Sequence, residues 1–160
     1  MRLLKVLLLT IVPSDLSAQA RKLESKNAVW GGLMSAGAQA RGAVGVIISG
    51  RCRDVNEHRT LAFPVFSRGR STLGQFPFTR PSAIDVPLTI FPEGMGKFPA
   101  VTIHPGDWMI ADGDGVVCVP NALQAQVIEL AKKGREIDSC CMDDIKAGKG
   151  VKASFRAHRG

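Results

Sequence analysis

The sequence predicts a single domain that contains both helices and strands, and its length, its composition and the order of its apolar segments support this. The chain has 160 residues, a length typical of one domain. Hydrophobic residues make up 45% of it and charged residues 22%, so it can bury a core and is not a disordered chain. Short β-type runs fill its middle, with helical patterns before and after them. Because strands and helices do not alternate regularly, a doubly wound nucleotide-binding sheet is disfavoured.

The first helix is predicted over residues 27–42, which read NAVWGGLMSAGAQARG. Asn27 is a suitable N-cap and Gly42 a suitable end, because Asn accepts hydrogen bonds from helical N–H groups and glycine adopts left-handed conformations. The apolar run 44–48 then predicts a buried strand. Further strands are predicted at 63–66, 84–91 and 101–103, and a β-hairpin at 108–112 and 115–119.

Two helices are predicted at the end of the chain. Asn121 is the expected cap of a helix that extends to about Lys133 and ends at Gly134. A second helix is expected over residues 136–147, and Gly148 is the residue expected to end it.

The N-terminal segment admits three interpretations. Residues 1–20 read MRLLKVLLLTIVPSDLSAQA, an apolar stretch followed by Ala-Gln-Ala, which loosely matches a secretory signal with its cleavage site. The run LLKVLLLTIV is equally compatible with a buried strand. A third interpretation is a gene-model boundary that joins foreign residues to a domain. We therefore predict a divergent or signal-like segment over 1–26 and one domain over 27–160.

The distribution of charge bears on the partners of the chain. The net charge is +7, but the excess of basic residues lies at both ends and forms no block. Nucleic-acid-binding proteins cluster Lys and Arg and add aromatic side chains for stacking, whereas here aromatic residues are 6% and Tyr is absent. We expect no nucleic-acid partner and an anionic small-molecule substrate. No apolar stretch approaches the ~20 residues of a membrane span, so no membrane partner is expected either.

Several other kinds of site are disfavoured by spacing. The histidines share no metal-ligand spacing, and Gly-x-Ser-x-Gly and P-loop motifs are absent. Asp112-Gly113-Asp114 lacks the remaining ligands of a calcium loop and is predicted to be a hairpin turn. The cysteines have no zinc-site spacing and are expected to be free thiols: Cys52, Cys118, Cys140 and Cys141.

Arg53 and Asp54, just beyond the strand predicted at 44–48, form the segment with the most chemical content. An Arg fork binds a carboxylate through two hydrogen bonds, and an Asp oxygen suits a hard cation such as Mg²⁺. Most Arg-Asp pairs, however, are surface ion pairs. A structural role therefore stays open for this pair when it is taken alone.

A glycine-rich segment at the start of the first predicted helix is the second candidate. N–H groups in a first helical turn have no internal acceptor and can bind anions, and glycine lets a ligand approach closely. The alternative is close packing of a helix on a sheet. Because one helix and one strand return the chain, we expect this segment to face the same pocket as Arg53 and Asp54. Its residues are Gly31, Gly32, Leu33 and Met34.

Six segments in a fixed order carry a family resemblance: NAVWGGLMSAGAQARGAVGVIISGRCRDVNEHR, FPVFSRG, STLGQFPFTRP, VPLTI, HPGDWMIADGDGVVCVP and DDIKAGKGVKASFRAHRG. Over residues 27–160 they resemble the RraA-like family. These ribonuclease-E-inhibitor-like proteins include 4-hydroxy-4-methyl-2-oxoglutarate aldolases and oxaloacetate decarboxylases. The motif WGGLMSAGAQARGA suggests the fungal branch.

The resemblance implies a β/β/α swivelling-type α/β domain that forms homotrimers or hexamers with active sites between subunits. It implies a lyase that cleaves oxaloacetate or a 4-hydroxy-2-oxo diacid to pyruvate by a class II pyruvate aldolase mechanism. By this resemblance Asp54 carries Mg²⁺ or Mn²⁺, and Arg53 binds the substrate carboxylate. The backbone amides of Gly31, Gly32, Leu33 and Met34 hold the other end of the substrate. Relatives are intracellular, so we expect a cytoplasmic protein, with secretion as the alternative if residues 1–20 are a signal peptide.

Two features differ from the family pattern. Many active relatives carry an acidic residue where this chain has Gly32, so decarboxylation is expected to survive better than aldol cleavage, which needs a base. Relatives also have more chain before the position of Asn27, which suggests a chain truncated at its N-terminus. The alternative function is therefore a non-catalytic interaction regulator or an inactive truncated paralogue.

Overall fold

The computed structural model describes the backbone of residues 5–10 and residues 26–76, 81, 83–91 and 99–160. It divides into two compact units, Met1–Pro105 with Ala111–Val117, and Gly106–Ile110 with Cys118–Gly160. The elements in chain order are β1 (Lys5–Thr10), β2 (Ala28–Trp30), α1 (Gly32–Ala40), β3 (Ala43–Cys52), α2 (Val55–Thr60), β4 (Val65–Arg70), β5 (Leu88–Ile90), β6 (Val101–Ile103), β7 (Trp108–Ala111), β8 (Val116–Val119), a 3₁₀ turn (Asn121–Leu123), α3 (Gln124–Lys146) and α4 (Val151–His158).

A parallel sheet built around β3 forms the centre of the first unit. Strand β3 pairs in parallel with β1, β2 and β4. Its sequence AVGVIISGRC is apolar along most of its length, as expected for a central strand of a parallel sheet. The buried core around it contains Trp30, Val46, Ile48, Cys52 and Phe63. Of the three interpretations of the N-terminal segment, the strand is therefore the one that the structure shows, over Lys5–Thr10.

The start of the first predicted helix is corrected by the structure. Residues Ala28–Trp30 form a strand, and helix α1 begins only at Gly32. Ala28 and Trp30 are both buried, a period of two that suits a strand and that the helical interpretation overlooked. Asn27 caps no helix, and its side-chain Nδ2 donates to the Gly74 carbonyl oxygen at 2.7 Å. The predicted end is close, since α1 ends at Ala40 and Gly42 has a φ of +84°.

The strands after α1 follow the predicted order with shifted ends. Strand β3 extends to Cys52 rather than ending at residue 48, because β2 and β4 supply backbone partners to its last residues. Strand β4 is shifted toward the C-terminus relative to the predicted 63–66. Strands β5 and β6 pair antiparallel, and β7 and β8 form the predicted two-stranded hairpin.

The second unit is mainly helical, and the two helices predicted there are one. Helix α3 continues through Gly134 to Lys146, so the predicted end at Gly134 is wrong. An internal glycine costs a helix only about 1 kcal/mol, and the good helix formers on both sides outweigh it. Asn121 opens a 3₁₀ turn rather than capping a helix.

Helix α4 was missed by the sequence analysis. It follows Gly148 and Gly150, both at positive φ, which turn the chain between the two helices. Ser154 on α4 is buried, and its hydroxyl donates to the Cys141 carbonyl oxygen of α3 at 3.3 Å. Of the helices that the structure describes, none is long and apolar enough to cross a membrane.

Candidate active site

Two parallel strands end side by side and bring the two predicted site segments together. Strands β2 and β3 pair in parallel, with Trp30 opposite Cys52. The backbone N–H of Arg53 donates to the Trp30 carbonyl oxygen at 2.9 Å, one residue beyond that pair. The next residues, Gly31 and Asp54, therefore leave the same edge of the sheet. Carboxyl ends of parallel strands are where α/β sheets place ligand-binding groups.

Asp54 directs its carboxylate at the start of helix α1. Its Oδ2 accepts a hydrogen bond from the backbone N–H of Gly32 at 3.1 Å. Helix α1 has Gly31 as its N-cap and no side-chain cap of its own, so Asp54 satisfies one of its unpaired donors from another element. The helix N-terminus in turn favours a negative charge at this place.

The backbone of Asp54 has the left-handed conformation that is uncommon outside glycine. Its φ is 59° and its ψ is 42°, at the residue that caps helix α2. Asp tolerates this region better than most residues, and such conformations collect at functional sites. The turn directs the Asp54 side chain back toward Gly31 and Gly32 rather than along α2.

Gly31 is needed because the two side chains of the site approach its backbone closely. A Cβ at this position would lie 2.5 Å from Asp54 Oδ2 and 3.1 Å from Arg53 Nε. The φ of Gly31 is −137°, an extended value that any residue adopts, so close approach and not backbone conformation requires the glycine.

Arg53 lies beside Asp54 with much of its side chain accessible. Its Nε is 3.7 Å from Asp54 Oδ2, and the two side chains are 42% and 32% exposed. The guanidinium also faces Gly74, where a Cβ would lie 3.9 Å from Arg53 Cζ. Arg53 Nε has no hydrogen-bond acceptor among the residues that the structure describes. The site thus offers a guanidinium for a carboxylate next to a carboxylate for a cation.

The remaining members of the glycine-rich segment are placed differently from one another. The Gly32 N–H is taken by Asp54, and the Met34 N–H donates to the Gly31 carbonyl oxygen at 3.1 Å. The Leu33 side chain is 88% exposed. The N–H groups of Gly32 and Met34 are thus hydrogen-bonded within the protein, and the side chains of Leu33 and Met34 are exposed.

Glu57 and Gly32 are in contact, which the sequence analysis did not foresee. A Cβ at Gly32 would overlap the Glu57 carboxylate and lie 2.8 Å from the Glu57 Cβ. Glu57 lies three residues after Asp54 on helix α2, a spacing that places both on one side of the helix start. That spacing was the available signal, but the packing of α2 against Gly32 is not visible in the sequence.

A buried hydrogen-bond network connects the strand and the two helices next to the site. Trp30 Nε1 donates to Ser35 Oγ at 2.8 Å, and Ser35 Oγ lies 3.0 Å from His58 Nδ1. All three residues are buried, and they join β2, α1 and α2. The sequence analysis considered His58 only as a metal ligand and rejected that role, because the histidines share no metal-ligand spacing. Because a buried Trp N–H needs an acceptor, Trp30 was the signal that pointed to a partner such as Ser35.

The side chains fit a hard divalent cation better than zinc. In the described part of the chain, no group of three or more His, Cys, Asp and Glu side chains is arranged to hold a metal. Mg²⁺ commonly keeps several waters and binds through one or two carboxylates, whereas zinc takes three or four protein ligands. Asp54 is accessible and lies in a cradle that a Cβ at Gly31 would fill. Asp54 is thus a suitable single carboxylate ligand.

A protein-family model matches this chain, and so do curated proteins, two of them over 79% of its length. The model, described as RraA-like, Aldolase/RraA, matches residues 5–118. A protein of Halalkalibacterium halodurans provisionally named 4-hydroxy-4-methyl-2-oxoglutarate aldolase is 29% identical over 126 residues, which are 79% of this chain and 56% of that protein. An uncharacterised protein of Methanocaldococcus jannaschii is 31% identical over 127 residues, 79% of this chain and 57% of that one. The chain spans a little over half the length of these relatives.

Solved structures share the fold. An uncharacterised protein from Pseudomonas syringae pv. tomato superposes with a TM-score of 0.76 at 29% identity, covering 95% of this chain and 74% of that one. A Streptomyces coelicolor protein described as an unusual member of the RNase ES inhibitor RraA protein family gives a TM-score of 0.58 at 25% identity, covering 71% and 54%. The mixed helices and strands therefore form an α/β RraA-like fold.

Proposed function

The chain belongs to the RraA-like family, and from this premise we propose that it is a divalent-metal-dependent lyase. The proposed reaction cleaves a C–C bond of oxaloacetate, or of a 4-hydroxy-2-oxo diacid, to give pyruvate. One observation carries the proposal: Asp54 Oδ2 lies 3.7 Å from Arg53 Nε and 3.1 Å from the Gly32 N–H. A site for a cation and a site for a carboxylate are therefore adjacent, which suits a substrate with a 2-oxo acid group.

Arg53 binds the substrate carboxylate in this proposal. Its planar guanidinium fits a carboxylate through paired hydrogen bonds, and its partial exposure lets a substrate reach it. The positive charge also lies beside the negative charge that develops during cleavage. Arg53 therefore stabilises the transition state more than the ground state.

Asp54 is the residue that would hold Mg²⁺ or Mn²⁺, which when bound supplies a Lewis acid for the 2-oxo group. In decarboxylation the C3–C4 bond of oxaloacetate breaks, CO₂ leaves, and the electron pair forms the enolate of pyruvate. A proton taken up at C3 completes pyruvate. The Gly32 N–H keeps the Asp54 carboxylate turned toward the site throughout.

The direct test measures pyruvate released from oxaloacetate with Mg²⁺, with the metal-only rate subtracted. The wild type is expected to exceed the background, and Asp54→Ala to fall to it. Mn²⁺ binding, followed by the paramagnetic resonance signal of the free ion, is expected to disappear in the same variant. Full activity of Asp54→Ala would contradict the assignment of the metal site to Asp54.

The assembly that we propose is a homotrimer or hexamer. In support, two consecutive apolar side chains beside the site are exposed, Leu33 at 88% and Met34 at 47%, and contiguous exposed apolar patches mark sites of protein–protein contact. Sedimentation at several protein concentrations tests this. A chain that stays monomeric at all of them would contradict it.

A regulator without catalytic activity is the second candidate function. It is favoured by the Streptomyces relative, which is described as a member of an RNase inhibitor family, and by the absence of a side chain at Gly32. This alternative predicts a cooperatively folded chain that turns over neither oxaloacetate nor a 4-hydroxy-2-oxo diacid.

A further inference from the structure

Glu57 lies against the site, and the proposed mechanism of decarboxylation gives it no role. Its carboxylate contacts Gly32 at the position that a side chain of residue 32 would occupy. The N–H of the same Gly32 binds Asp54. Gly32 is thus held between two carboxylates, one on its N–H and one at its Cα.

The Glu57 carboxylate is available for a new interaction as far as the described residues are concerned. It is exposed, and within the residues that the structure describes it forms no ion pair or side-chain hydrogen bond. By contrast Asp144, also on a helix, is bound to both Lys149 and His158. A carboxylate kept at the edge of a site with no cation partner is able to accept a proton from a bound molecule.

We propose that Glu57 is the general base for aldol cleavage in this site, and this rests on the proposed lyase function. The Glu57 carboxylate takes the proton of the C4 hydroxyl, the C4 oxygen forms a carbonyl, and the C3–C4 bond breaks. Its electron pair forms the enolate of pyruvate, and the other fragment leaves as a 2-oxo acid. The enolate then takes up a proton at C3. Decarboxylation releases no hydroxyl proton and needs no such base.

The two reactions therefore separate the role of Glu57 from that of the rest of the site. Glu57→Gln keeps the size of the side chain and removes its basicity. The rate of 4-hydroxy-4-methyl-2-oxoglutarate cleavage is expected to fall about 10²-fold or more, the usual contribution of a general base. Oxaloacetate decarboxylation is expected to stay within about threefold of wild type. A matched control is Glu136→Gln, an exposed helical glutamate, which is expected to leave both rates unchanged.

A second variant displaces Glu57 without altering it. Gly32→Ala places a Cβ in the space of the Glu57 carboxylate and 2.8 Å from the Glu57 Cβ, so the carboxylate and the start of helix α2 are both expected to move away. Aldol cleavage is expected to fall as it does in Glu57→Gln, and a Gly32→Ala variant with the wild-type aldol rate would contradict the proposal. Because the Gly32 N–H also binds Asp54, the comparison of the two reactions is made with Glu57→Gln alone. Mn²⁺ affinity, measured by titration, is expected to be unchanged in Glu57→Gln, because Glu57 is assigned to the substrate and not to the metal.

The outcomes distinguish this proposal from the one on which it rests. A wild type without either activity above background overturns both. A wild type that decarboxylates but does not cleave the aldol, or a Glu57→Gln variant that loses both activities equally or neither, overturns only the role of Glu57. Loss of Mn²⁺ binding in Glu57→Gln overturns it as well, because that result makes Glu57 a metal ligand.

Discussion

Two turns of this chain contain aspartates that follow or join strands, and they use their carboxylates in opposite ways. In the β7–β8 hairpin, Asp112 Oδ1 accepts hydrogen bonds from the N–H groups of Asp114 at 2.9 Å and Gly115 at 3.3 Å. Asp54 Oδ2 instead accepts from Gly32, 22 positions away along the chain. The hairpin carboxylate stabilises its own turn, whereas the Asp54 carboxylate joins two elements at a strand edge.

The difference shows why the type of residue alone is a weak guide to function. Both aspartates lie just beyond the end of a strand, Asp54 after β3 and Asp112 after β7. Local hydrogen bonds within the hairpin account for the position of the Asp112 carboxylate. For the other, a left-handed backbone at Asp54 directs the carboxylate to a distant helix start beside Arg53. A long-range contact of that kind indicates a site more strongly than the Asp itself does.

The largest difference between the two turns is expected when a glycine in or beside each of them is replaced by alanine, which adds one methyl group. Gly31→Ala places a Cβ 2.5 Å from Asp54 Oδ2, so the carboxylate must move, and decarboxylation is expected to fall roughly 10²-fold. Gly113→Ala meets nothing within 4 Å and is expected to leave the rate unchanged. Steady-state rates of the two variants, each checked for a native circular dichroism spectrum, provide the measurement. Equal rates would remove the distinction between the turns.

The buried network below the site is expected to give the next largest effect, on stability. Ser35→Ala removes the partner of both the Trp30 indole N–H and the His58 ring, and is expected to lower the free energy of unfolding by about 1–3 kcal/mol. Ser71→Ala removes an exposed hydrogen bond to the Leu73 N–H and is expected to cost no more than about 1 kcal/mol.

Urea unfolding followed by Trp fluorescence measures both serine variants. A Ser35→Ala variant as stable as the Ser71→Ala variant would show that the buried network contributes little to holding α1 and α2 in place.

The smallest effect is expected from an ion-pair cluster in the helical unit. Hydrogen bonds from Lys149 and then His158 lower the pKa of Asp144 below its ordinary value. A carboxyl group with a lowered folded-state pKa contributes stability above its unfolded pKa of about 3.9, and that contribution is lost as the pH falls through the folded pKa. Asp144 is partly exposed and its partner Lys149 is exposed as well, so solvent screens the interaction and the change is expected to be slight.

Thermal melts of wild type and Asp144→Asn between pH 3 and pH 6 test the sign. The melting temperature of the wild type is expected to exceed that of the variant near pH 6, and the two are expected to converge toward pH 3. A difference that grows on acidification would contradict the assignment.

Much of the fold follows from local patterns in the sequence. Strand β3 follows from an apolar run, and the hairpin around Gly113 follows from a turn motif. Both signals, like the family motifs, are carried by residues that are neighbours in the sequence. The errors have a different origin: Ala28–Trp30 is a strand because β3 pairs with it, and Gly134 stays helical because the residues on both sides favour a helix.

The candidate site was predictable in part for the same reason. Arg53 and Asp54 were candidates because they lie just beyond an apolar run, and their expected roles came from the family resemblance. The contact of Glu57 with Gly32 and the link from Trp30 through Ser35 to His58 depend on how separate elements pack. Contacts of that kind leave no periodic signal in the sequence.

The measurement that tests the central claim most directly is a Mn²⁺ titration of Asp54→Asn beside Asp112→Asn. Both changes remove one negative charge and keep the size of the side chain. Asp54→Asn is expected to abolish Mn²⁺ binding together with oxaloacetate decarboxylation, while Asp112→Asn retains both. Wild-type Mn²⁺ affinity in Asp54→Asn, or loss of binding in Asp112→Asn instead, would contradict the assignment of the cation to Asp54.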